Sequence, residues 1–301
     1  MPDPAVVLEA SAKALLYASL LVGIGASAAR WLLLRRAIAE LGADLVPAIE
    51  QSVARIALGA ASLALAACGL RVWTHTVAAF GFDGARSWDT LRLIALHSRW
   101  GQSWGIQFIA ALVFMAACAA TVWRRTFWPL ATLSVVGFTA TIPLLGHASG
   151  DTARMAVHAL HILAAGVWLG TLSAVLLISV PPASFGPMGT PLTSRRMRLL
   201  ILRRFSPIAL PSAATVVAAG LVASWFYVGA VSNLWTTAYG RLLVLKAGLV
   251  VGISACGYVN WRHVRKLHEK SASSASIVVL EATLAAAVAI VTGYLTEIGH
   301  P

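Results

Sequence analysis

The strongest constraint on this chain is that its apolar residues fall into repeated runs of about twenty, the length a helix needs to cross the hydrocarbon core of a bilayer. Eight such runs stand out, near 11–34, 53–76, 105–123, 128–146, 155–180, 206–229, 242–261 and 276–297. Lipid offers no partners to backbone N–H and C=O groups, so spans of this kind satisfy themselves as α-helices. Only 11% of residues are charged and 59% are hydrophobic, against about a quarter charged in a soluble domain. The expected fold class is therefore all-α: a polytopic membrane protein, a bundle of eight transmembrane helices, with residues 1–301 forming a single transmembrane domain.

A net charge of +12 raises the question of nucleic acid, but its distribution excludes that reading. Basic residues cluster after the first span (Arg35, Arg36, Arg55), the third (Arg124, Arg125), the fifth (Arg195, Arg196, Arg198, Arg203, Arg204) and the seventh (Arg262, Arg265, Lys266, Lys270). The intervening loops carry fewer: Arg86, Arg92 and Arg99, then Arg154, then Arg241. By the positive-inside rule the odd-numbered loops are cytoplasmic and both termini are periplasmic. The lipid bilayer is the partner that this charge pattern addresses. No cleavable signal peptide is expected, because Asp3 and Glu9 stand where a basic leader segment would be.

Two connections are long. The external segment 80–104 spaces Trp88, Leu91 and Ile94 three apart, which predicts a short amphipathic helix at the outer interface. The cytoplasmic segment 181–204 is rich in Pro and Gly, then basic, and reads as a linker followed by a headgroup-contacting stretch. Arg71 and Lys246, near outer span ends, are expected to snorkel toward water. Cys68, Cys118 and Cys256 are far apart, with no CxxC pair, and are expected to be small packing residues. Cys118 and Cys256, both toward the cytoplasmic side, keep open a soft-ligand role.

Chemistry concentrates at one place. His147 ends the fourth span, Gly150-Asp151 forms a short turn, and His158 and His161 follow on the fifth. Three residues apart on a helix, the last two rings lie about 60° apart around the axis and face one direction. Met155 lies close to that face, and Asp151 is available as a ligand or as an acceptor for an imidazole N–H. Imidazoles near lipid are costly unless they bind something or line a wet cavity. Imidazoles with a nearby thioether or carboxylate suit copper or zinc better than calcium or magnesium. Few methionines and no paired cysteines favour a nitrogen-rich site that accepts Cu(II), or either Cu(II) or Cu(I). Haem is the alternative cofactor, with His75 and His97 as axial partners across the bundle. Lys246 and Glu281, ionisable residues at opposite depths, are candidate pathway groups, and Trp168 is expected to pack or anchor rather than ligate. Walker A, HExxH, GxSxG and dinucleotide fingerprints are absent, so no enzyme activity is expected.

The run Gly146-His147-Ala148, then His161 through Gly170 (HILAAGVWLG), resembles the CopD (PcoD-like) copper-resistance family of bacterial inner-membrane proteins. Arg204-Phe205-Ser206-Pro207, Tyr239 through Lys246 with Asn260, and Leu280-Glu281 are similar to further family motifs. The resemblance is strongest over 146–301 and loose over 1–145. It implies a multi-pass inner-membrane protein that transports copper from the periplasm toward the cytoplasm, with a periplasmic CopC-type copper-binding protein as partner. His147 and His161 match family positions, whereas His158 is added from helix geometry. Two rival functions remain: a haem-binding b-type redox protein that reduces metal, and a copper chaperone for oxidase assembly that transports nothing.

Overall fold

The structure, a computed structural model, describes residues 3–34, 45–146, 148–179, 191–266 and 275–298. It is helical throughout, and no strand occurs among the described residues. Helix α1 (Pro4–Ala28) passes into a π-helical turn, Ala29–Leu34. Then come α2 (Leu45–Arg86), α3 (Trp88–His97), α4 (Arg99–Trp123) and α5 (Trp128–Thr141). Helix α6 (Thr152–Ala165) continues through a second π-helical segment, Gly166–Gly170, into α7 (Thr171–Ser179). The chain ends with α8 (Pro191–Val228), the short α9 (Asn233–Thr236), α10 (Ala238–Lys266) and α11 (Ala275–Leu295).

Seven described segments are long and apolar enough to cross a membrane. They correspond to the first seven predicted spans. The eighth is represented by α11, of which Thr283–Leu295 counts as a shorter apolar helix. The expectation of eight spans is therefore met in seven by length and composition.

Helix α1 organises the bundle, packing against α2, α11, α7 and the π-helical segment 166–170. On α2 the buried stripe Ala57, Ala61, Ala64 and Cys68 shares one apolar cluster with Leu16, Leu20 and Ile24 of α1. Residues this small let helices approach closely where lipid supplies no hydrophobic drive to associate. The same cluster takes in Phe114 of α4 and Phe138 of α5, stacked 6.1 Å apart. A second cluster joins Trp168, Phe205, Ile253 and Val288 from four different segments.

The interface between α1 and the π-helical segment is tighter still. A Cβ on Gly25 would collide with the backbone of Gly170, and one on Gly170 with the carbonyl of Leu21. A Cβ on Gly166 would strike the side chain of Ile24. Here backbone meets backbone, and only glycine permits it.

The predicted interfacial helix is α3, capped by Ser87, whose hydroxyl accepts from the Thr90 N–H. Its Ile94 is buried, while Trp88 is 75% exposed and free to reach the headgroup layer. The basic stretch before the sixth span belongs to helix α8, which begins at Pro191 and runs to Val228, ahead of the apolar part that starts at Pro207. One expectation is corrected. Arg71 does not snorkel: it is only 3% exposed and donates to Gln107 Oε1 at 2.7 Å. A guanidinium with a buried amide in reach stays inside the bundle, because the alternative partner would be lipid.

Candidate metal-capture site

The site is built on α6. Asp151 caps this helix: its Oδ1 accepts from the N–H groups of Ala153 (2.9 Å) and Arg154 (3.1 Å). Its Oδ2 pairs with Arg154 Nε at 3.2 Å. Both carboxylate oxygens are thus engaged in starting the helix, and the residue is exposed. Arg154 lies over the rings of Phe226 and Tyr227 near the end of α8, which fixes the outer end of α6 against its neighbour.

One turn further in, Met155 is half-buried. His158 follows, its Nε2 lying 3.4 Å from the hydroxyl of Tyr17 on α1. His161 turns instead toward α8. Gly220 leaves room for its ring, since a Cβ there would stand 3.2 Å from Cε1 and 3.5 Å from Nδ1. The Val216 backbone lies within hydrogen-bonding reach of the same ring. Nδ1 of His161 is buried and makes no well-formed hydrogen bond among the described residues. A buried nitrogen satisfied this poorly carries part of its desolvation cost, which a ligand would remove. His158 and His161 interact electrostatically, as do Lys246 of α10 and His161. The helix register therefore brings Lys246 into electrostatic range of His161, a proximity that spacing alone did not reveal.

The remaining predicted residues fall as follows. His147 lies outside the described residues. Glu281 is part of α11, but its side chain lies outside what is described. Trp168 is 7% exposed and sits in the second apolar cluster, a packing position. Among the described residues no three His, Cys, Asp or Glu side chains form a group able to hold a metal ion. Cys68 and Cys118 are buried within the first apolar cluster. The proposed haem partners are occupied elsewhere or turned out: His75 Nδ1 lies 3.2 Å from Glu9 Oε1 and stacks on Trp100, and His97 is exposed at the end of α3.

Beside the histidines lies a polar network that the sequence reading missed. Glu9 and Lys13 are one turn apart on α1 and both are buried. Lys13 pairs with Glu297, just past the end of α11. Arg71 interacts electrostatically with Tyr17, Cys68, Glu9 and Glu297. The network thus holds two carboxylates, two cations and His75 in the bundle interior. A signal was present, since Glu9 and Lys13 interrupt an otherwise apolar helix at i, i+4 spacing. Their partners, however, lie far off in sequence.

Residues 199–295 match the family model described as Copper resistance protein D (CopD). The chain is also 26% identical over 207 residues to the copper transport protein CutJ of Bacillus subtilis (strain 168). That stretch covers 65% of this chain and 37% of the relative, so the chain spans well under half the length of the protein it matches. No solved structure matches. The CopD resemblance read from the sequence holds, and the family match covers α8, α10 and α11.

Proposed function

We propose that this protein moves copper across the bacterial inner membrane, from the periplasm toward the cytoplasm, through a histidine-lined mouth on α6. The observation that carries this reading is the pair His158 and His161 on one helix inside the bundle, with Nδ1 of His161 buried and without a well-formed hydrogen bond among the described residues. His147, shortly before α6 in the sequence, is the third ligand, and Met155, three residues before His158, adds a thioether. Asp151 contributes by starting the helix that presents the imidazoles. On this reading α11 is the eighth span, both termini are periplasmic, and a CopC-type protein delivers the metal. The protein is a transporter and not an enzyme. Family and relative support the choice of copper, since each is described by copper resistance or transport.

The test is elemental analysis of copper and iron in detergent-purified protein from copper-supplemented cells, beside the His158→Ala, His161→Ala variant. Near-stoichiometric copper that falls in the variant is the expected result, followed by loss of copper uptake into proteoliposomes. Undiminished uptake by the double variant overturns the histidine mouth. Iron with a Soret band in place of copper returns the haem reading.

A further inference from the structure

Tyr17 lies on a helix remote in sequence from the histidines, yet its hydroxyl is 3.4 Å from His158 Nε2. The phenol has little freedom to leave. It is 9% exposed and sits in the apolar cluster between α1 and α2. Its height relative to His158 is also fixed from below. Ile24 packs on Gly166, and Gly25 on Gly170, so α1 and α6 with its π-helical extension run side by side in one register. Tyr17 precedes Ile24 by about two turns, as His158 precedes Gly166. The glycine contacts therefore set the phenol opposite the imidazole.

This pairing constrains the chemistry of His158. A neutral imidazole has one N–H and one lone pair, on different nitrogens. When one nitrogen binds a metal, the other carries the proton and needs an acceptor, and that outer partner sets the ring's orientation and basicity. The Tyr17 oxygen already faces Nε2 at hydrogen-bonding distance, which leaves Nδ1 as the nitrogen not engaged by the phenol.

We propose that Tyr17 is a positioning residue for copper capture: it accepts the Nε2 proton of His158 and thereby makes Nδ1 the atom that takes the metal. This rests on His158 being a copper ligand, and it adds which atom binds and what holds it.

The experiment uses the full chain in detergent, with Cu(II) delivered from a competing amino-acid chelate. Tyr17→Phe keeps the ring and removes only the oxygen. The expected result is Cu(II) binding weakened about tenfold to a hundredfold, the usual effect of losing an outer-shell partner. Pulsed EPR of the loaded protein should show an altered remote-nitrogen pattern for one imidazole. In the His158→Ala background, Tyr17→Phe should change the remaining affinity no further. Equal weakening in both backgrounds, or an unaltered remote-nitrogen pattern, overturns the proposal and leaves Tyr17 a packing residue. Nitrogen-15 NMR of histidine-labelled wild-type protein with Cu(I) reads the same point without any substitution: a His158 bound through Nδ1 supports it, and one bound through Nε2 sinks it. If His158→Ala binds copper as tightly as wild type, the capture site itself is wrong and the inference falls with it. That outcome is distinct from a failure of Tyr17 alone.

Discussion

Gly25 of α1 lies directly against the backbone of Gly170 in the π-helical segment after α6, with no room for a side chain at either position. This one contact aligns the helix that carries Tyr17 with the helix that carries His158. Gly25→Leu must force the two apart. Overpacking of a close-packed contact costs about 1–3 kcal/mol or more. We expect a lower melting temperature in detergent and a parallel loss of copper affinity. Gly59, which has open space around its Cβ position, is the control: Gly59→Ala should leave both unchanged.

The second prediction concerns the ring of His161. Gly220 faces its Nδ1, and a Cβ there would stand only 3.2 Å from Cε1. Gly220→Val places branched carbon in front of the nitrogen while adding nothing polar. Copper binding should fall at least tenfold, with helicity by circular dichroism and elution volume unchanged. Wild-type affinity in this variant would move the ligand atom away from that side of the ring.

The buried pair of Lys13 and Glu297 is predicted to matter mainly when half of it is removed. Its side chains are 11% exposed on each side, so deleting one partner strands a charge in the bundle. Lys13→Met should destabilise by about 3–5 kcal/mol, whereas the double change Lys13→Met, Glu297→Leu should recover most of the loss, as paired apolar replacements of buried ions do. Unfolding by SDS titration, followed across the four proteins of the cycle, reads the difference.

Copper binding by imidazole releases protons, because each coordinating nitrogen must be deprotonated first. Affinity should therefore weaken as pH falls through the histidine range and level off above it. The steepness of that fall should lessen in the His158→Ala, His161→Ala variant, measured by competition with a chelate whose own pH dependence is known. A pH-independent affinity in the wild type would point to thioether or thiolate ligands.

The spans were legible because lipid imposes a rule that acts along the chain: a run of apolar residues must close its own hydrogen bonds, wherever its neighbours lie. The same holds for α3, whose three-residue apolar spacing and Ser87 cap are local signals. The histidine pair was legible for that reason too, since His158 and His161 share one helix. What could not be read were the pairings between helices. Arg71 near a span end is an ordinary snorkelling residue until α4 brings Gln107 to it. Tyr17 is an ordinary core aromatic until α6 brings His158. Lys246 was noticed, but its approach to His161 depends on how α10 packs. Each of these is set by interhelical register, which in this bundle is written in glycines and alanines that carry no chemical label of their own.

The clasp between Lys13 and Glu297 also gives the docking of α11 an electrical side. It joins α1 to the segment just past α11, so it closes only when α11 has come to rest against α1. Apart from that clasp, Glu9, one turn away on the same helix, is a carboxylate that acts on Lys13. The arrival of α11 therefore delivers a second counterion to a lysine already held in the buried face of α1.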